Sequence, residues 1–129
     1  MLPPKILTDY LNQIEEVINH FRNVDIEHYK EEILTTERAN IKIRLRFNHK
    51  YLLEINEAII VSENKLKTLD YRYHFQDEHN RLIFRYDSTP HFPNLSTFPH
   101  HKHLSNDVIS CQKPEITEVL EEVKNIIYS

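Results

Sequence analysis

Six of the nine histidines lie in one stretch, Tyr71–Leu104. The same stretch contains several arginines and a carboxylate, Asp87, that could take part in the chemistry. Histidine gives and takes protons near neutral pH because its unperturbed pKa is about 6.5. Arginine and lysine neutralise phosphate, and a carboxylate can orient an imidazole. Such a set suits metal-independent RNA cleavage, in which one imidazole deprotonates a 2′-hydroxyl and another protonates the leaving oxygen. We therefore expect the functional site here.

The candidate residues fall into two groups. Those expected to act on the reacting atoms are acid–base histidines, a carboxylate that orients one of them and a phosphate-binding arginine: His91, His100, His101, His103, Asp87 and Arg85. Those expected to bind substrate are cations and one histidine on the same side of the sheet: Lys102, Arg72, His74, Arg44 and Arg46. Aromatic side chains in the same stretch, Phe92 and Phe98, could stack on bases.

The same residues allow two other interpretations. His101 and His103 point the same way in an extended segment, and His91 or Asp87 could add a third metal ligand, as in a metal-dependent hydrolase. This arrangement lacks the spacing of a zinc signature, so no metal or other cofactor is predicted. Alternatively, the His/Pro-rich loop docks a protein partner without catalysis. Cys111 lies among apolar residues and is expected to be inert.

The hydrophobic pattern predicts the elements that position these residues. Apolar residues from Leu7 to Phe21 recur every three or four positions and predict a helix at about residues 4–22. Perfect alternation in Ile41–Phe47 predicts a strand with its basic residues on one face. Further strands are predicted over segments 26–36, 51–61, 66–76, 81–87 and 108–110. In the 66–76 segment, Leu69 is expected on the same face as Tyr71.

Prolines mark the remaining part of the chain. Pro90, Pro93 and Pro99 predict an extended loop that can fold back over the charged face, and Pro114 opens a last helix. The predicted class is α+β: an N-terminal helix, an antiparallel meander of four to six strands, a His/Pro-rich loop and a C-terminal helix. Both helices should cover the apolar face of the sheet. A single domain is expected over residues 1–129.

Composition narrows the function classes. The 129 residues include no glycine, which excludes the glycine-rich loops that cradle nucleotide phosphates. Turns that need positive φ must then use Asn or Asp. The net charge is −4, yet residues 38–104 hold eleven Lys/Arg against seven Asp/Glu, which suits a polyanion site on one face. A lone cysteine and the absence of a long apolar run predict a cytoplasmic protein without membrane partners.

A composite motif resembles the TumE-type toxins of prokaryotic toxin–antitoxin systems. Its parts are Y-x-Y-H-F-Q-D at Tyr71–Asp77, R-L-I-F-R-Y-D at Arg81–Asp87, Pro90-His91, and T-F-P-H-H-K-H at Thr97–His103. One departure is Asn80, where such sequences often have glycine. The resemblance implies a growth-inhibiting toxin whose partner is a helix-turn-helix antitoxin encoded beside it. Ribonuclease activity is our inference from the His/Arg/Asp set, and a homodimer is one possible assembly.

Overall fold

A computed structural model describes residues 3–128, which form one antiparallel sheet and two helices. The elements in chain order are α1 (Lys5–Asn19), β1 (Val24–Thr35), β2 (Arg38–Phe47), β3 (Tyr51–Ser62), β4 (Lys65–Gln76), β5 (Leu82–Asp87), β6 (His101–Leu104), β7 (Val108–Ser110) and α2 (Ile116–Ile127). Strand order in the sheet equals chain order, so the sheet is a continuous meander. The predicted α+β class is confirmed.

The predicted strand count was too low, because the described residues form seven strands rather than four to six. The additional strand is β6, which the sequence pattern assigned to the loop. It pairs with β5 through Asp87↔His101 and Arg85↔His103. Its sequence, H-K-H-L, lacks the β-branched residues that mark strands, so pairing with β5 and β7 determines its conformation.

Each helix buries one apolar stripe. Leu7, Leu11, Ile14 and Ile18 are buried along α1 at the predicted spacing. The N-terminus of α2 is closed by a capping box in which the Glu115 and Glu118 side chains and backbones bond reciprocally, and its buried residues are Ile116, Val119, Leu120 and Val123. No helix within residues 3–128 is both long and apolar enough to cross a bilayer.

The sheet has one apolar and one polar face. Ile41, Ile43, Leu45 and Phe47 of β2 are buried in the core that both helices cover, and the basic residues between them lie on the other face. Leu69 breaks the predicted alternation and is 50% exposed. The register steps from Ala58↔Asp70 to Ile59↔Thr68, so Leu69 is the extra residue of a β-bulge. The extra residue shifts the alternation by one position, so Leu66 before the bulge packs on the same core as Tyr71 after it.

Turns form without glycine by using residues with positive φ. Asn23, Asn48, Asn64 and Asn80 fulfil the prediction, because Asn tolerates the left-handed region well. His49 and Glu63 also have positive φ, at 59° and 52°, although neither is a residue type that favours it as Asn does. Glu63 and Asn64 form the two-residue connection of the β3–β4 hairpin, where a tight turn requires φ above zero at both positions.

Three polar side chains of the described residues are buried: Glu57, Asp87 and His101. Glu57 lies in the core and accepts hydrogen bonds from the hydroxyls of Tyr10 and Tyr73. Burial, together with the carboxylate charge, raises the pKa of both phenols, so they remain hydrogen-bond donors. Glu57 therefore has a structural role. Asp87 and His101 lie on the polar face and belong to the candidate site.

Replacing Glu63 by glycine should stabilise the fold. Relief of a side chain held at φ 52° should outweigh the extra entropy of the unfolded chain. We expect Glu63→Gly to raise the free energy of unfolding by about 0.5–1 kcal/mol in urea titrations. As a matched control, Lys67→Gly in the exposed part of β4 should lower it by about 0.5–1 kcal/mol. A loss of stability in Glu63→Gly would contradict the turn geometry.

Candidate active site

Two rows of cross-strand neighbours run over the polar face of the sheet. In an antiparallel sheet such neighbours lie side by side, so each row forms a continuous band. The first row consists of Arg44, Glu54, His74, Arg85 and His103. The second row consists of Lys42, Asn56, Arg72, Asp87 and His101. Each row contains two Lys or Arg residues and one carboxylate, and each ends in histidine on β6.

The Asp87 carboxylate, at the end of β5, is the centre of the cluster. Asp87 is only 5% exposed. One oxygen, Oδ1, lies 2.8 Å from Nε2 of His101 and accepts the backbone N–H of Thr89 at 3.1 Å. The other, Oδ2, accepts a hydrogen bond from Nε of Arg85 at 3.2 Å and lies 3.6 Å from Nε2 of His103. A buried carboxylate is thus compensated on both oxygens.

His101 is held in one orientation from both sides of its ring. The residue is 1% exposed. Its Nδ1–H donates to the carbonyl oxygen of Pro99 at 2.9 Å, which directs Nε2 toward Asp87. The same Nε2 is 3.0 Å from Nε2 of His103. Two imidazoles and one carboxylate therefore converge, and we call Asp87, His101 and His103 the DHH cluster.

The loop between β5 and β6 folds back over the polar face and covers the DHH cluster. The ring of Phe92 meets the rings of His101 and His103 edge to face, with centroids 5.0 and 5.7 Å apart. Thr97 anchors the loop: its hydroxyl donates to the carbonyl of His100 at 2.6 Å and accepts the N–H of Cys111 at 2.9 Å. This cover keeps water away from the cluster on one side.

His103 is the partly open member of the cluster, with 17% of its side chain exposed. Burial is the main cause that lowers its pKa, and the positive charge of Arg85 adds to it, while Asp87 acts in the opposite direction. A lowered pKa favours the neutral imidazole near pH 7. The neutral ring has a free nitrogen lone pair, so His103 can accept a proton or bind a cation.

The family model described as toxin TumE matches residues 14–127 of the chain. The chain belongs to the TumE toxin family. The matched residues begin within α1 and include the whole sheet, the loop between β5 and β6, and α2. A toxin of this class acts with an antitoxin partner. No curated protein and no solved structure matches the chain.

Other predicted substrate-binding residues of this TumE-family toxin share the polar face at increasing distance from the cluster. Arg72 and His74 on β4 line a small open cavity of about 110 Å³ together with Glu54 and Asn56. Arg72 is close enough for its charge to contribute to the lowered pKa of His103. These two residues therefore extend the cluster along the sheet.

Arg44 and Arg46 lie further away and are neutralised by acidic neighbours. Glu27 on β1 accepts a hydrogen bond from Nε of each arginine, at 2.9 and 3.1 Å. Glu54 accepts a further bond from Arg44 at 3.1 Å. The sequence suggested Glu54 as a compensating charge, but Glu27 was missed because the register of β1 was not predicted. These arginines support the face rather than contact the cluster.

The structure separates Lys102 and His100 from the DHH cluster. Both alternate with His101 along the chain and lie on the helix-covered face. Nζ of Lys102 pairs with Glu122 of α2 at 2.7 Å and lies over the ring of Tyr86. Nδ1 of His100 is 2.9 Å from the hydroxyl of Tyr71. Their expected roles in substrate binding and acid–base chemistry do not fit these positions, because β6 is a strand and not a loop.

His91 occupies an intermediate position, exposed in the loop next to Phe92. Its ring is 6.5 Å from the Phe92 ring, which itself contacts the cluster. Two backbone groups that orient the site, the Pro99 carbonyl and the Thr89 N–H, carry no signal in the sequence. Burial raises the pKa of the Cys111 thiol, in keeping with the expected inert cysteine.

Replacing Lys102 by alanine tests its position. The side chain is 15% exposed and links the sheet to α2, so its loss leaves Glu122 without a cation. We expect Lys102→Ala to lower the free energy of unfolding by about 1–2 kcal/mol in urea titrations. The control Lys67→Ala, on an exposed strand position, should change it by less than about 0.5 kcal/mol. Equal effects of the two substitutions would contradict the contact between Lys102 and α2.

Proposed function

We propose that this TumE-family toxin is an endoribonuclease that cleaves RNA without a metal ion. The observation that carries the proposal is the convergence of His101 and His103 on the buried Asp87, beside Arg85. Carboxylate, imidazole and guanidinium groups supply proton transfer and charge stabilisation in one place. Membership of a toxin family supports a growth-inhibiting activity, for which RNA is a suitable target.

In the proposed reaction, the 2′-hydroxyl oxygen attacks the adjacent phosphorus and the bond from phosphorus to the 5′-oxygen breaks. His103 accepts the 2′ proton, because it is partly exposed and its lowered pKa favours the neutral ring. An acid returns a proton to the leaving oxygen, and our candidate is exposed His91, whose ring lies 6.5 Å from the Phe92 ring that contacts the cluster. Arg85 stabilises the phosphorane charge. The products are a 2′,3′-cyclic phosphate and a 5′-hydroxyl.

Asp87 and His101 act as positioning residues in this mechanism. His101 is too buried to touch a substrate, but it lies between the Pro99 carbonyl and Asp87 and contacts the ring nitrogen of His103. Asp87 accepts a hydrogen bond from Nε of Arg85 and so fixes the position of the guanidinium as well. Fixed geometry of the reacting groups contributes strongly to catalysis, because their orientation costs no entropy during the reaction.

The two basic rows are the proposed binding surface for the RNA backbone. Arg72 and Lys42 are exposed on the second row: Arg72 is the cross-strand neighbour of Asp87, and Lys42 lies two strands further along. Phosphate contacts of this kind fix the position of a strand without reading its sequence. A single strand laid over both rows would bring a phosphate to Arg85, which lies on the first row. This geometry supports single-stranded RNA as the substrate class.

We also propose the partner and location that suit the toxin class. The antitoxin is expected to be a helix-turn-helix protein encoded by the neighbouring gene, and both proteins are expected in the cytoplasm. The homodimer stays a prediction.

A second function is favoured by the loop surface. Phe98 is 45% exposed and lies near exposed His91 in sequence, so the loop could dock a protein partner without catalysis. Aromatic side chains are frequent in protein interfaces. Substitution of Phe98 by serine would then abolish the antitoxin complex, while the purified toxin would leave RNA intact under every condition.

Substitution of His103 tests the ribonuclease proposal. His103→Ala should reduce the rate of RNA cleavage by about 10²–10⁴-fold, since it removes the proton acceptor. Asp87→Asn should reduce it by at least about tenfold through loss of orientation. His79→Ala, in the exposed turn before β5, is the matched control and should leave the rate unchanged. Cleavage of labelled RNA is measured in EDTA, and the product ends are identified by mass spectrometry.

Two results would contradict the ribonuclease proposal. One is wild-type toxin that arrests growth without changing cellular RNA. The other is cleavage by His103→Ala at the wild-type rate.

The salt dependence of RNA affinity tests the binding surface. An oligonucleotide with 2′-O-methyl groups resists cleavage and serves as the probe. Arg72→Ala should weaken binding and reduce the slope of log affinity against log salt by about 0.7, the value for one phosphate contact on a single strand. Arg22→Ala, in the segment that lines the groove between the helices, should leave the slope unchanged. Equal slopes for wild type and Arg72→Ala would exclude the second row as the binding surface for the RNA backbone.

A further inference from the structure

We propose that Asp87, His101 and His103 also form a binding site for a divalent transition-metal ion such as Zn²⁺. Occupation of this site would switch off the acid–base chemistry, so this regulatory part of the proposal rests on the proposed ribonuclease function. Binding itself does not depend on that function and can be measured without RNA.

The spacing of the three potential ligand atoms fits one metal ion. Nε2 of His101 is 2.8 Å from Oδ1 of Asp87 and 3.0 Å from Nε2 of His103. All three ligand atoms lie within 4.8 Å of one another. A tetrahedral zinc ion with bonds of about 2.0–2.2 Å holds its ligand atoms about 3.4 Å apart. Shifts of about half an ångström would bring His101 to this spacing from both partners, and the fourth position of the ion would be open to water.

The hydrogen bonds around the cluster prepare it for a cation. His101 donates its Nδ1–H to the Pro99 carbonyl, so Nε2 carries the lone pair when the ring is neutral. A metal-binding histidine commonly donates its second ring N–H to such a partner. When neutral His103 carries its proton on Nδ1, its Nε2, Nε2 of His101 and the Asp87 oxygen are three acceptors in contact. In that state a cation between them takes the place of the proton that His103 otherwise holds on Nε2.

The ligand types select the kind of metal. Two imidazoles and one carboxylate favour zinc and related ions over magnesium or calcium, which prefer oxygen ligands. Arg85 donates to Oδ2 of Asp87, and Oδ1, which accepts the Thr89 N–H, would bind the ion through its second lone pair. Its positive charge weakens binding of a cation, which suits reversible occupation. Phe92 covers the rings on one side, and the partly exposed His103 gives access on the other.

Metal binding and proton transfer exclude each other at this site. Both need the lone pair of His103, and a bound ion would occupy it. The toxin would be inactive while zinc is bound and would regain activity when the ion leaves. Because of this competition, the toxin would need no metal ion for cleavage and would be inhibited by one.

Calorimetry of the full-length, chelator-treated toxin with zinc chloride alone tests the site. We expect one zinc ion per chain and an intense visible absorption band with Co²⁺, as tetrahedral coordination produces. His103→Gln and Asp87→Asn should each weaken binding at least about tenfold. His79→Ala is the control for surface histidines and should bind normally. Circular dichroism establishes that each variant is folded. Equal binding by wild type and both cluster variants would overturn the proposal.

RNA cleavage with and without zinc tests the regulatory part. Zinc should inhibit cleavage at the concentration that fills the site, and EDTA should restore it. Cleavage in EDTA without specific zinc binding would overturn the metal site and leave the ribonuclease proposal intact. Specific zinc binding without any cleavage would overturn the ribonuclease proposal and support the metal site. Zinc-stimulated cleavage would overturn both the metal-independent mechanism and the proposed inhibition.

Discussion

A buried carboxylate must be compensated, and the site is built around this requirement at Asp87. An unpaired charge in an apolar surrounding is costly, so several donors are needed at once. Arg85 on the same strand and the Thr89 N–H donate hydrogen bonds to Asp87, and Nε2 of His101 on the next strand lies 2.8 Å from it. This pairing connects β5 to β6 across the polar face and holds the loop between them. Compensation of the Asp87 charge therefore fixes the positions of the imidazoles, the Arg85 guanidinium and the loop that covers the cluster.

Much of the fold follows from hydrophobic periodicity. Alternation in Ile41–Phe47 predicted both the strand and its basic face, and the spacing in α1 predicted the helix and its buried stripe. Two features depend on long-range pairing and were not predictable. The strand β6 has no strand-like sequence and forms because β5 offers an edge. The bulge at Leu69 arises from the register between β3 and β4, which local pattern does not determine.

The candidate site was predictable as a region but not as a set of residues. The run His100–His103 was recognised as chemically active, yet a strand sends alternate side chains to opposite faces. His101 and His103 consequently reach Asp87, whereas His100 contacts Tyr71 and Lys102 contacts α2. The residues that fix ring orientation are backbone groups of the loop, which any residue type could provide. Sequence therefore indicates which groups are available, and strand pairing decides which of them meet.

The site depends on His101, which is held between the Pro99 carbonyl and Asp87 and faces His103. Long-range ¹⁵N–¹H NMR correlation spectra of the imidazole rings of the full chain test this claim directly, since they report which ring nitrogen carries the proton. The structure predicts that Nδ1 of His101 stays protonated throughout the pH range in which the protein is folded, and that Asp87→Asn alters the Nε2 signals of His101 and His103 but not those of His79. Two findings together would contradict this arrangement. His101 would show the mixture of tautomers of a free imidazole, and its signals would not change in Asp87→Asn.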